Sequence, residues 1–86
     1  MTEYAILFAR SARKELEALP ESLSARIVMR IEALATNPRP RGCHKLHGSE
    51  NLWRLRLGDY RVIYAIDDSK KLVDINAIRH RRDAYR

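Results

Sequence analysis

Apolar residues along this chain recur with a period near 3.6 in the first half and with a period of 2 in the second. Ala9, Ala12, Leu16 and Leu19 follow one another at spacings of three and four, which places them along one stripe of a helix. Tyr4 to Phe8, just ahead, reads as a short strand. Pro20 ends the first helix and can open the next at its first position, because it lacks a backbone N–H and carries a fixed φ. Leu23, Ile27, Ile31 and Leu34 then repeat at four, four and three, with Arg26, Arg30 and Glu32 off the stripe. This spacing predicts a second amphipathic helix running to about Asn37, where Pro38 stops it. The two helices are expected to pack antiparallel, and the segment "NPRPRG" is a loop by composition.

From Leu52 onward Trp53, Leu55 and Leu57 alternate with Arg54 and Arg56. After Gly58-Asp59, the residues Tyr60, Val62, Tyr64 and Ile66 alternate with Arg61, Ile63 and Ala65. Glycine at the first central position suits a two-residue type II′ turn, so Leu57 should face Tyr60, Arg56 face Arg61, Leu55 face Val62 and Arg54 face Ile63. One face of the hairpin is then apolar enough to pack on the helices. Arg54, Arg56 and Arg61 are left together on the other, as an exposed cluster. "KLVDINAI" adds a third strand, which makes the expected fold α+β: two N-terminal antiparallel helices on one face of a twisted, mainly antiparallel sheet.

Charge sharpens this picture. Of the net charge of +6, none arises in residues 1–36, which carry five basic and five acidic groups. Residues 37–61 carry six basic groups against two acidic, and residues 79–86 carry four against one. A polyanion is the obvious partner, nucleic acid foremost. Guanidinium forks match phosphate oxygens, so three on one small face form a phosphate clamp that can also stabilise charge in phosphoryl transfer. The tail "RHRRDAYR" adds Arg79, His80, Arg81, Arg82 and Tyr85, an aromatic ring beside cations that can stack on an unpaired base. His80 is expected to be the histidine nearest the cluster, and histidine is the side chain that titrates near neutrality.

Other chemistry is poorly supported. "CHKLH" brings Cys43, His44 and His47 close in sequence, but a structural zinc site wants four ligands and no second cluster is present. There is no glycine-rich phosphate loop. A lone cysteine excludes an internal disulfide and fits a reducing compartment. No apolar run exceeds five residues, which points to a soluble, cytoplasmic protein rather than a membrane one. At 86 residues the chain is one domain, with catalytic options limited to a shallow surface site built from Arg, His, Lys and Tyr.

"KLHGSENLWRLRLGDYRVIYAID" followed by "HRRDAYR" resembles the RelE/ParE superfamily of toxins from bacterial toxin–antitoxin pairs, and the resemblance covers nearly the whole chain as a single RelE-like domain, residues 1–86. For the RelE branch it implies ribosome-dependent mRNA cleavage, in which a ribonucleotide 2′-hydroxyl attacks its own phosphate to leave a 2′,3′-cyclic phosphate and a 5′-hydroxyl. Catalysis is expected to need no cofactor or metal, given the residues available; as partners the resemblance implies a cognate RelB-like antitoxin, the ribosome and mRNA. Carried over by position, Arg61 would stabilise the phosphorane, Arg81 would stabilise or protonate the leaving oxygen, and Tyr85 would stack on or orient the cleaved nucleotide. Arg54 and Arg56 stand where the best-known members carry lysines; with Lys45, Arg79 and Arg82 they are expected to bind phosphate. Arginine is hardly ever deprotonated in proteins, so the base is left open among His80, Lys45, Glu50 and a ribosomal group. One residue follows Tyr85 in this sequence, so displacement of a C-terminal helix, a mode of inhibition in some relatives, is not expected. The alternative is a ParE-like toxin that binds gyrase and cuts no RNA.

Overall fold

The computed structural model describes residues 3–48, 51–80 and 82. Strand β1 (Ala5–Phe8) leads into helix α1 (Arg10–Glu17) and helix α2 (Glu21–Glu32), followed by a 3₁₀ turn at Ala33–Ala35. Among the described residues, four strands follow: β2 (Cys43–Lys45), β3 (Leu52–Leu57), β4 (Tyr60–Asp67) and β5 (Leu72–His80). They form one sheet in the order β1-β5-β4-β3-β2, in which only β1 and β5 run parallel. The α+β architecture is the expected one. The second helix ends earlier than its apolar stripe suggests, because the chain tightens after Glu32 and the N–H groups of Thr36 and Asn37 both donate to the Ala33 carbonyl. Pro20 sits at the N-cap of α2 rather than inside it.

The β3–β4 hairpin has the register read from the sequence: Leu57 pairs with Tyr60, Arg56 with Arg61, Leu55 with Val62 and Arg54 with Ile63. Gly58 adopts φ +63°, the positive value a type II′ turn needs at its first central position. Leu55, Val62, Tyr64 and Ile66 are buried against Ala12, Ile27, Ile31 and Leu34, so the helices cover the predicted face. On β5, Val73, Ile75 and Ile78 complete this core. Their spacing breaks strict alternation because of a β-bulge: Tyr64 pairs with Ile75 and Ile63 with Ala77, which leaves Asn76 as an extra residue. Beyond the bulge, Ile78 and His80 point to the helix side and Arg79 to the open face.

Two local devices fix the edges of the sheet. Strand β1 pairs with β5 only as far as Ile75, and beyond it α1 takes over the exposed edge: the Glu15 carboxylate accepts the Ile78 N–H (2.9 Å) and Arg79 Nε (2.7 Å). At the other end, the loop before β2 is tied down twice. The buried Tyr64 hydroxyl donates to the Pro38 carbonyl (2.8 Å), and Arg39 donates through two nitrogens to Asp68 (2.8 and 3.3 Å) while lying 5.0 Å over the Trp53 ring. Asp68 also accepts from the Tyr4 hydroxyl at 2.6 Å. The bonds from Arg39 and Tyr4 hold its carboxyl down at a pKa of about 2. Among the described residues, no helix is long and apolar enough to cross a membrane.

Candidate functional site

Strand alternation puts two rows of side chains on the face away from the helices. Arg56, Arg61 and Arg79 are cross-strand neighbours along β3, β4 and β5, and the adjacent row is His44, Arg54, Ile63 and Ala77. A cleft of about 530 Å³ opens there, lined by Gly42, His44, Arg54, Arg56, Gly58 and Arg61. Gly42, at φ +94°, makes the turn that brings the chain into β2 beside the arginines. Arg56 Nε donates to the Gly58 carbonyl (3.3 Å), which steers that side chain along the hairpin end. Guanidiniums directly opposed across a ladder repel by a few tenths of a kcal/mol up to about 1 kcal/mol, and the same arrangement concentrates positive potential where an anion would enter.

The structure brings Arg54, Arg56 and Arg61 together as the sequence predicts, but not equally exposed. Arg56 is exposed, Arg54 half-buried, and Arg61 only 5% exposed. The uniformly exposed cluster is thus corrected. Arg61 lies on the central strand of the sheet between two other arginines, whereas Arg56 stands beside the turn. Arg79 lies on the same face, with its charge met by Glu15.

Two further expectations are corrected by backbone geometry. His80 is not beside the cluster: the Asn76 bulge reverses the parity of β5, so His80 aligns with Tyr60 on the helix side. Its ring meets Tyr60 edge-on, with centroids 5.2 Å apart, and its Nδ1 accepts the Arg82 N–H at 3.3 Å. Lys45 pairs with Trp53 and so shares the face opposite the arginines. Arg82 is exposed beyond the end of β5. Arg81, Tyr85 and Glu50 lie outside the described residues. The residue that sequence reasoning missed is His44. Grouped with Cys43 and His47 it looks like a fragment of a metal site, yet Cys43 pairs with core residue Leu55 while His44 pairs with Arg54, so the two point to opposite faces. The signal that finds it is strand alternation, once "CHK" is known to be a strand.

A second groove, between α2 and the hairpin, has a floor of Leu23, Ile27, Leu57 and Tyr60 and is bordered by Arg26 and Arg30. Met29 beside it is 69% exposed.

Residues 6–85 match the family model described as the ParE toxin of type II toxin–antitoxin systems. The chain belongs to the RelE/ParE superfamily of toxins. It is 37% identical over 84 residues to Toxin RelE of Mycobacterium tuberculosis, covering 96% of this chain and 87% of that protein. Among solved structures it is similar to the archaeal RelE–RelB complex from Pyrococcus horikoshii, with a TM-score of 0.82 at 34% identity over 94% of this chain and 97% of that one. The RelBE2 toxin–antitoxin complex of Mycobacterium tuberculosis gives a TM-score of 0.79 at 31% identity, covering 91% and 98%. These matches span nearly the full length of both partners, so the likeness includes the sheet that carries the cleft as well as the helices.

Proposed function

We propose that this chain is the toxin of a toxin–antitoxin pair and acts as a metal-independent endoribonuclease that cuts mRNA on the ribosome. The observation that carries this reading is the convergence of Arg54, Arg56 and Arg61 in one cleft on the open face of the sheet. In the proposed reaction the 2′-oxygen of a ribonucleotide attacks the adjacent phosphorus, and the 5′-oxygen of the next nucleotide departs. Arg61 stabilises the charge that builds on the phosphoryl oxygens, while Arg54 and Arg56 hold the phosphate as fixed charged forks. Arg81 and Tyr85 are assigned, from the family resemblance, to the leaving oxygen and to base stacking. An open cleft grips phosphate without aligning the 2′-hydroxyl for in-line attack, and mRNA held on the ribosome would supply that alignment.

The test is end-group analysis of mRNA incubated with the purified protein, with and without ribosomes. Cleavage on ribosomes that leaves 2′,3′-cyclic phosphate and 5′-hydroxyl ends is the expected result, with little cutting of free RNA. Intact mRNA on ribosomes would refute the reading. The competing one, gyrase binding without RNA cleavage, is favoured by the description of the matched family as ParE toxins; inhibited DNA supercoiling with intact mRNA would establish it.

The partner we propose is a RelB-like antitoxin, as in the solved RelE–RelB complexes. An acidic amphipathic segment would suit the groove bordered by Arg26 and Arg30, with apolar side chains on its Leu23–Ile27–Leu57–Tyr60 floor. Co-expression with the adjacent reading frame should restore growth and yield a stable complex.

A further inference from the structure

Taking the proton from the attacking 2′-hydroxyl is the task in that reaction that the arginines cannot perform. A guanidinium does not lose its proton in proteins, so Arg54, Arg56 and Arg61 can bind and stabilise but cannot take a proton from a 2′-hydroxyl. The histidine and lysine candidates suggested by the sequence, His80 and Lys45, both lie on the opposite face. Of the described residues that line the cleft, His44 alone has a side chain able to accept and release a proton near neutrality. It is exposed, and it is the direct cross-strand partner of Arg54. We infer that His44 is the catalytic proton acceptor of the cleft, the group that activates the attacking 2′-hydroxyl; this inference rests on the nuclease reading of the site.

The layout of the strands supports the assignment. Neighbouring strands lie about 4.8 Å apart, so His44 on β2, Arg54 on β3 and Arg61 on β4 are spread over about 10 Å across the sheet. A phosphate seated over Arg54 would have Arg61 on its β4 side and His44 on its β2 side, so a 2′-hydroxyl directed toward β2 would meet the imidazole. Among the described residues, the charged groups facing His44 across the cleft are Arg54, Arg56 and Arg61, all cationic. They hold the substrate phosphate and leave the imidazole as the acceptor. In the step itself the 2′-O–H proton passes to a neutral ring nitrogen of His44 as the O2′–P bond forms. The P–O5′ bond breaks with its electron pair on the 5′-oxygen, which takes a proton from water. His44 then returns its proton to solvent, so atoms and charge balance over the cycle.

Single-turnover cleavage of ribosome-bound mRNA tests this with wild type, His44→Gln and His47→Gln. Both histidines are exposed, so neither replacement disturbs the core. Removing a general base costs about 10²- to 10⁴-fold in rate. His44→Gln should therefore cut at least about 100-fold more slowly than wild type, bind mRNA-loaded ribosomes as tightly, and lose the acidic limb of the pH–rate profile. His47→Gln should match wild type throughout. Cutting by His44→Gln at the wild-type rate, or with an unchanged acidic limb, overturns the role of His44 and leaves the nuclease reading standing. Parallel loss of binding and cutting overturns it too, in favour of a binding residue. Failure of the wild-type protein to cut mRNA on ribosomes overturns the nuclease reading and this inference together.

Discussion

Replacing Tyr64 by phenylalanine removes a single oxygen from the centre of the fold, and its effect can be worked out from the structure. The Tyr64 ring is fully buried and stays in place in the variant, so no large cavity opens. What is lost is the 2.8 Å bond from its hydroxyl to the Pro38 carbonyl, which becomes an unsatisfied acceptor under the loop before β2. Such a bond contributes about 0.5–1.5 kcal/mol net, and more where the orphaned partner stays dry, so the expected loss is about 1–2 kcal/mol. For a domain of this size each kcal/mol shifts Tm by about 4–8 °C. Thermal unfolding at neutral pH should show that drop as one cooperative transition. Tyr4→Phe, the same chemical change at a half-buried site whose hydroxyl meets exposed Asp68, should shift Tm far less. Burial, ahead of the nearby Cys43, raises the pKa of Tyr64 above the ordinary tyrosine value. The stabilising contribution is therefore complete below about pH 10 and declines as pH rises beyond it, where the unfolded chain ionises first. The gap between wild type and Tyr64→Phe should narrow on that side only. A Tyr64→Phe Tm equal to that of wild type, or no lower than that of Tyr4→Phe, would refute the tether.

Leu55→Ala should cost about 2–5 kcal/mol in chemical denaturation, whereas Arg56→Ala on the opposite face should be near neutral; equal effects would mean the assignment of faces is wrong. Arg61→Lys keeps the charge but loses the planar fork, so mRNA cleavage on ribosomes should fall by about 10²- to 10³-fold while the circular dichroism spectrum is retained. Wild-type cleavage by that variant would remove Arg61 from the site. Asp68→Asn should be less stable than wild type at pH 7. Because the folded carboxyl titrates near 2 and the unfolded one near 4, the difference should shrink as pH falls from about 4 to 2, which thermal melts at the two ends of that window would show.

The parts of this fold legible in the sequence are those where one period persists. Leu23 to Leu34 hold a helical stripe long enough to place Ile27, Ile31 and Leu34 in the core. Gly58-Asp59 fixes the centre of the hairpin, and from that point parity alone assigns every residue of β3 and β4 to a face. The arginine cluster was readable for this reason. Strand β2 was not, since three residues carry no measurable period. Nor was the burial of Arg61, which depends on the strands assembled on either side of it. The pairing of β1 with β5 joins residues more than sixty positions apart, and nothing local announces it.

The histidines show how a small backbone irregularity decides chemistry. Counted from Val73 and Ile75 in strict alternation, Arg79 would join the core face and His80 the open face, which is where a sequence reading puts a titratable group beside arginines. The extra residue at Asn76 exchanges the two. Ile78 then faces the core, His80 packs on Tyr60, and Arg79 extends the cationic row, where its partner Glu15 limits the added charge. Without that carboxylate a third guanidinium in the row would add repulsion at the centre of the sheet; with it, the net positive charge is shifted toward β3 and the hairpin end. That is the side on which β2 delivers His44. The bulge at one edge of the sheet and the short strand at the other thus act in the same direction, withdrawing one histidine from the open face and leaving the other next to Arg54. The position of the histidine we propose as proton acceptor is therefore a consequence of strand register, which the identity of neighbouring residues in the sequence does not reveal.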